Sequence, residues 1–201
     1  MSEAAGPRRP RAPRRRSRPS TAPPPGFRYL PGFIGRGEER ALVRGVEALA
    51  FEPVVMRGVT ARRQVAHFGA RYRFEGGALA PAPPLPGFLA EVCARAAAAA
   101  GFPARAAIEA LVTRYPPGAG IGWHRDAPPF GPSLAGLSLA APCELRLRLE
   151  QPDGYRSYKV TLEPGSLYVI AGTARFRWQH AIPPVARLRY SVTFRTIRTP
   201  P

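Results

Sequence analysis

The sequence predicts an α+β domain: a jelly-roll (double-stranded β-helix) core with two N-terminal helices and a β-hairpin flap. Three observations predict it. From Ile108 onward, about eight short strand-like runs follow one another with turn residues between them and no helical spacing. Two stretches before them carry apolar residues at helical spacing. The chain has 201 residues, 45% of them hydrophobic, which suits one domain with a substantial core.

Residues 1–26 are mostly Pro, Arg, Ser and Ala with little to bury. They read as a disordered tail ahead of a domain at 27–201. "GRGEERALVRGVEALAF" places Leu42, Val43, Val46, Leu49 and Ala50 on a helical stripe, predicting a helix over about 38–50. "RRQVAHFGARYRF" (62–74) is β-type sequence broken by Gly69 and predicts a hairpin. A Pro-rich loop follows at 77–87. "FLAEVCARAAAAAG" predicts a second helix, stopped by Gly101, whose alanines suit close packing on a sheet. The strand runs are "IEALVTRY", "GIGWHRD", "GLSLA", "CELRLRLE", "YRSYKVTL", "GSLYVIAG", "ARFRWQHAI" and "RYSVTFRTI". In the last, Tyr190, Val192 and Phe194 share one face.

The formal net charge is +17, and every basic residue except Lys159 is arginine. Residues 1–26 hold six of those net charges, so the predicted domain is itself basic at +11. That favours a polyanionic partner, since Arg contacts release counterions from a phosphate backbone. The Arg-rich tail reads either as an arm that holds nucleic acid loosely or as a solvated segment. Cys93 and Cys143 form no CxxC, so neither a disulfide framework nor a zinc knuckle is indicated. The expected compartment is a reducing cytoplasm and the expected state a monomer. No apolar run approaches the ~20 residues of a membrane span, and no apolar h-region follows the Arg-rich start.

Three histidines are present, and "GWHRD" sets His124 two residues before Asp126. On a strand, i and i+2 project to one face. His180 lies 56 residues later, enough chain to return on a neighbouring strand. Two histidines and a carboxylate form the facial triad of non-haem Fe(II) oxygenases, which leaves positions open for a co-substrate and O₂. The pair alone is weak evidence, because a surface histidine beside an acid is usually only a salt bridge. Arg189 and Arg195 are six apart in "RYSVTFR" and face one side of a strand. If buried they need anions, such as the two carboxylates of 2-oxoglutarate; if not, they are edge arginines in water.

These segments together resemble the AlkB family of Fe(II)/2-oxoglutarate dioxygenases over roughly residues 27–198. "RRQVAHFG" resembles its nucleotide-recognition flap, "TRYPPGAGIGWHRD" its strand and loop into H-x-D, "GTARFRWQHAI" its distal-His segment and "RYSVTFR" its R-x5-R signature. The resemblance implies Fe(II) on His124, Asp126 and His180. It implies Arg189 on the distal carboxylate of 2-oxoglutarate, Arg195 nearer the metal, and Tyr115 hydrogen-bonding the co-substrate. Thr113 stands where the family often has Asn, and Ser191 replaces Asn in the R-x-N pattern. Pro128 stands where repair members carry a base-contacting acid, so the chain looks closer to the branch that hydroxylates tRNA wobble uridines and to small bacterial relatives. The implied activity is oxidative demethylation of alkylated bases in DNA or RNA. The alternatives are tRNA wobble-base hydroxylation, a protein substrate, or a non-catalytic nucleic-acid-binding jelly roll. The base must be single-stranded or flipped to reach a buried iron. His67, Phe68 and Trp123 are the candidate stacking faces, and Arg63, with Arg62, Arg71 and Arg73, a candidate phosphate contact.

Overall fold

A computed structural model describes residues 16–56, 58–72 and 78–198. Its first element departs from expectation. Arg16–Pro19 form strand β1, which runs parallel to residues 154–157. The tail expected over 1–26 is therefore partly built into the domain, and residues 1–15 lie outside the described residues. The edge of a sheet offers unpaired N–H and C=O groups, and β1 takes them up. β2 (Phe27–Leu30) follows, then helix α1 (Arg36–Glu47), with Glu38 and Glu39 in its first turn where the helix dipole favours them.

β3 (Glu52–Met56) and β4 (Val59–Phe68) pair antiparallel. The hairpin expected over 62–74 is thus displaced. Residues 62–68 belong to a long strand of the main sheet. At Gly69, φ is +76°, and a Cβ there would sit 2.2 Å from the Ile108 carbonyl oxygen, so only glycine fits the bend. Beyond it, β5 (Ala70–Tyr72) pairs with β6 (Leu79–Pro81) in a separate ribbon. Helix α2 (Gly87–Ala100) ends as expected, with Gly101 left-handed at φ +80° and donating to the Ala98 carbonyl. A single 3₁₀ turn (Ala104–Ala106) leads into the strand-rich half.

There, β7 (Glu109–Tyr115), β8 (Ile121–His124), β9 (Phe130–Leu139), β10 (Cys143–Gln151), β11 (Gly154–Leu162), β12 (Leu167–Ala171), a short helix α3 (Gly172–Phe176), β13 (Gln179–Ile182) and β14 (Arg189–Ile197) complete the chain. They form two sheets, ordered β2-β12-β9-β14-β7-β4-β3 and β1-β11-β10-β13-β8. Strands β7 to β14 alternate between the sheets except at the β10–β11 hairpin, which is the jelly-roll winding.

Side-chain alternation assigns the faces. Tyr190, Val192 and Phe194 join Ala110, Val112, Leu137 and Val169 in a core beneath α1 and α2. Ala96 and Ala97 of α2 are fully buried. The opposite face of the larger sheet meets the smaller one, where Leu134, Leu145, Leu147, Leu162, Ile170 and Trp178 pack. The odd residues of β14 from Arg189 to Arg195 therefore point between the sheets.

Candidate active site

His124 closes β8, and His180 lies directly opposite it on β13. Their rings are 4.2 Å apart between centroids, at 55°. Asp126 is not on the strand: β8 ends at His124, and Asp126 enters from the following loop. That loop is held by Arg175, a buried side chain the sequence did not single out. It donates to the carbonyls of Asp126 (3.1 Å), Ala127 (2.9 Å) and Phe130 (3.4 Å). Arg175 sits on α3, where a strand was expected; "ARFRWQ" reads as β-type by composition, but Gly172 at φ +49° starts one helical turn instead.

Among the described residues no three His, Cys, Asp or Glu side chains already stand in a metal-holding arrangement. Arg195 holds one oxygen of the Asp126 carboxylate. Its Nε and Nη2 both donate to Asp126 Oδ1, at 2.9 and 2.6 Å. What remains still suits a divalent cation. Asp126 Oδ2 is buried without a hydrogen-bond partner, 3.7 Å from His180 Nε2. His124 Nδ1 bonds the Gly122 carbonyl at 2.9 Å, which leaves Nε2 as its ligating atom.

Electrostatics point the same way. Burial, with His124 beside it, pushes His180 down to about 3, and burial also lowers His124 against the pull of Asp126. Both imidazoles are neutral near pH 7, as metal ligation requires. Burial would raise the Asp126 carboxyl, but Arg195 and the two histidines hold it well below the usual range. Arg195 is raised despite its burial, because Asp126 and Glu109 flank it.

Arg189 is fully buried. Its Nη2 donates to Ser138 Oγ at 3.1 Å, and it lies over the Tyr115 ring at 4.8 Å. Its Nε and Nη1 have no partner. A buried guanidinium with unspent donors is a place for an anion. Tyr115, Thr113 and Ser191 share its face: Tyr115 is paired opposite Arg189, and Ser191 opposite Thr113. The chain's chemistry-bearing strand residues thus lie together between the sheets.

Three expectations need correction. Phe68 packs into the core beneath the helices, on the face of β4 away from His67. Trp123 is adjacent to His124 in sequence, but strand alternation turns it outward. It is 37% exposed and stacks on Arg148 at 4.3 Å, with Tyr155 on the other side at 4.4 Å. Neither ring faces the metal group. Arg71 is tied to Glu52 at the surface, and Arg73 lies outside the described residues. Arg62 covers the Gly118 turn, whose Cβ position is 2.7 Å from its Nη1. Arg63 is half-buried; burial lowers its pKa and Tyr115 acts against that.

His67 does face inward. Its Nδ1 is 3.1 Å from Glu109 Oε1. Glu109, 1% exposed, also accepts from Arg195 Nη1 at 2.8 Å. Sequence reading missed Glu109, although an acid opening an otherwise apolar strand was the available signal.

Between them, two β-sheets wound as a jelly roll, a His–Asp–His group and an anion-seeking arginine define the class of a non-haem iron oxygenase. The chain belongs to the 2OG-Fe(II) oxygenase superfamily, whose family model matches residues 26–195. Among the curated proteins it is similar to are members of the AlkB family. It is 28% identical to a Xenopus tropicalis protein named tRNA (carboxymethyluridine(34)-5-O)-methyltransferase alkbh8, covering 80% of this chain but 26% of that one. It is 32% identical to the Salmonella typhimurium alpha-ketoglutarate-dependent dioxygenase AlkB, over 57% of each chain. The solved structure of OsALKBH1 superposes with a TM-score of 0.69 at 18% identity, covering 88% of this chain and 99% of that one. The chain spans 26% of the Xenopus tropicalis relative and 57% of the Salmonella typhimurium one, and the superfamily it belongs to is one of 2-oxoglutarate- and Fe(II)-dependent oxygenases.

Proposed function

We propose that this dioxygenase oxidises an alkyl group on a nucleobase in single-stranded nucleic acid, or on a base flipped from a duplex. His124, Asp126 and His180 are the iron ligands in this reading. Bound Fe(II) supplies the oxidation of a C–H bond, coupled to conversion of 2-oxoglutarate and O₂ into succinate and CO₂. Arg189 takes the distal carboxylate of 2-oxoglutarate, with Tyr115, Thr113 and Ser191 beside it. Arg195 orients the metal carboxylate and reaches toward the near end of the co-substrate. On an N-methyl base the product is an N-hydroxymethyl group, which splits into formaldehyde and the bare N–H.

The observation that carries the nucleic-acid half is the inner face of β4. His67 contacts Glu109 and so shares the interior of the metal group, and Arg63 acts electrostatically on Tyr115 and His124. A planar imidazole and a guanidinium in a chain of charge +17 suit a base and its phosphate. One observation favours a second reading, hydroxylation of a tRNA base: Pro128 puts no acid beside the metal loop to meet a cationic methylated base.

Anaerobic loading with Fe(II) followed by O₂ tests both. Succinate with formaldehyde from methylated single-stranded DNA or RNA supports demethylation. Succinate without formaldehyde, with one added oxygen in tRNA nucleosides, supports hydroxylation. No substrate-stimulated succinate from any nucleic acid would refute the proposal.

A further inference from the structure

Glu109 is a buried carboxylate with two partners: Arg195 donates to Oε2, and His67 Nδ1 lies 3.1 Å from Oε1. Burying such a charge is costly unless every lone pair has work. Charge balance alone does not account for it, because Asp126 already gives Arg195 an anion. The other oxygen points to a second role. A carboxylate bonded to a guanidinium can only accept, so the proton of a neutral His67 must sit on Nδ1. The remaining ring nitrogen, Nε2, then carries a lone pair. The His67 side chain is 16% exposed, enough to meet a partner in the interior without dissolving the Nδ1 bond in solvent.

We propose that Glu109 fixes His67 as its Nδ1–H tautomer, making Nε2 a hydrogen-bond acceptor that selects bases presenting an N–H edge beside the group oxidised. Glu109 is here a positioning residue and His67 the specificity-determining one. This rests on the reading that a nucleobase enters along β4. The chemistry separates two substrate classes. A methylated adenine or cytosine keeps its exocyclic amino donor, whereas a 3-methylated uracil offers only carbonyl acceptors on that edge.

Glu109→Gln inverts the arrangement without changing size. Its one carbonyl oxygen goes to charged Arg195, the stronger donor. Its NH₂ then faces His67, whose Nδ1 must accept, so the proton moves to Nε2. Correlated ¹⁵N spectra of the histidine rings read this directly. The wild-type chain should show Nδ1–H and the variant Nε2–H for His67. Turnover is then compared on single-stranded oligonucleotides carrying one 1-methyladenine or one 3-methyluracil. The wild type should prefer 1-methyladenine about tenfold in kcat/KM, one hydrogen bond's worth. Glu109→Gln should flatten or reverse that ratio.

A wild-type His67 protonated on Nε2 alone, or on both nitrogens, would overturn the proposal. So would a switched tautomer with an unchanged preference. Should Glu109→Gln fail to fold, His67→Phe keeps the ring and removes the acceptor. Its preference should fall to near unity, and retention of the tenfold ratio sinks the idea. If wild type turns over neither oligonucleotide while His67 shows Nδ1–H, the nucleobase reading fails and the selectivity role falls with it.

Discussion

Replacing Arg189 with Met separates two effects that usually travel together. The guanidinium is fully buried, spends one nitrogen on Ser138 and leaves two without partners. Without a ligand it is an under-satisfied buried cation, and exchanging such a group for an apolar one of similar length is often neutral or stabilising. With 2-oxoglutarate bound it pairs with a carboxylate. Truncating one partner of a buried, hydrogen-bonded charge pair costs roughly 2–5 kcal/mol, a loss of about 30-fold to several thousand-fold in affinity. Arg189→Met should therefore keep or raise the melting temperature of the ligand-free protein while weakening 2-oxoglutarate by at least 30-fold. Thermal unfolding with and without 2-oxoglutarate and Mn(II) measures both. A ligand at 100 times the wild-type Kd should add about 2.7 kcal/mol to the wild type and no more than about 0.9 kcal/mol to the variant. Equal ligand stabilisation of both proteins would refute the assignment. A ligand-free variant several kcal/mol less stable would show that the arginine is structural.

Arg175→Ala removes three bonds to the loop that carries Asp126; it should cost about 3–5 kcal/mol, roughly 6–20 °C in melting temperature, and weaken Mn(II) binding tenfold or more. His124→Ala and Asp126→Ala should each abolish 2-oxoglutarate turnover while circular dichroism stays unchanged; activity surviving both would sink the metal assignment. Gly136→Ala sets a Cβ 2.1 Å from the buried Tyr168 ring, and urea unfolding should show a loss of about 1–3 kcal/mol. For the metal-free chain, His180 titrates near about 6.5 when unfolded but at about 3 when folded. The unfolded state therefore binds the extra proton between those values, so stability should hold above pH 6.5 and fall as pH drops toward 3. Asp126, protonated more readily when unfolded, steepens the loss at the acid end. His180→Gln should flatten the slope in urea midpoints between pH 6.5 and 4.

Period-two alternation made β14 readable, because one face had to be apolar and the other had to bury two arginines. The same rule, applied to neighbours rather than to single strands, would have excluded Trp123 and Phe68. Each is one residue from a histidine, and that is the spacing that sends side chains to opposite faces. The Gly69 bend was visible as a break, but not its direction, which depends on the close approach of the Ile108 carbonyl. α3 was illegible because one helical turn carries no period, and "ARFRWQ" has strand composition. Glu109 needed register: only the pairing of Arg195 with residue 109 across β7 and β14 shows that the acid meets the arginine. The β1 strand was hidden by low-complexity sequence whose partner lies far along the chain.

β8 is an edge strand of the smaller sheet, opposite the edge taken by β1; it is four residues long and joined only to β13 among the described residues, with a register shift between its two paired positions. Such an edge is the part of a sheet that frays first. Yet it holds one of the three candidate ligands, a second sits across the single ladder that could unzip, and the third hangs from the loop just beyond. An ion bridging the three would act as a rivet through the seam. Metal loss and edge fraying then become one event, and the stripped enzyme exposes a bare strand to its neighbours. Slowed amide exchange at Ile121–His124 on Mn(II) addition, and self-association of the chelated protein, would be its two signatures.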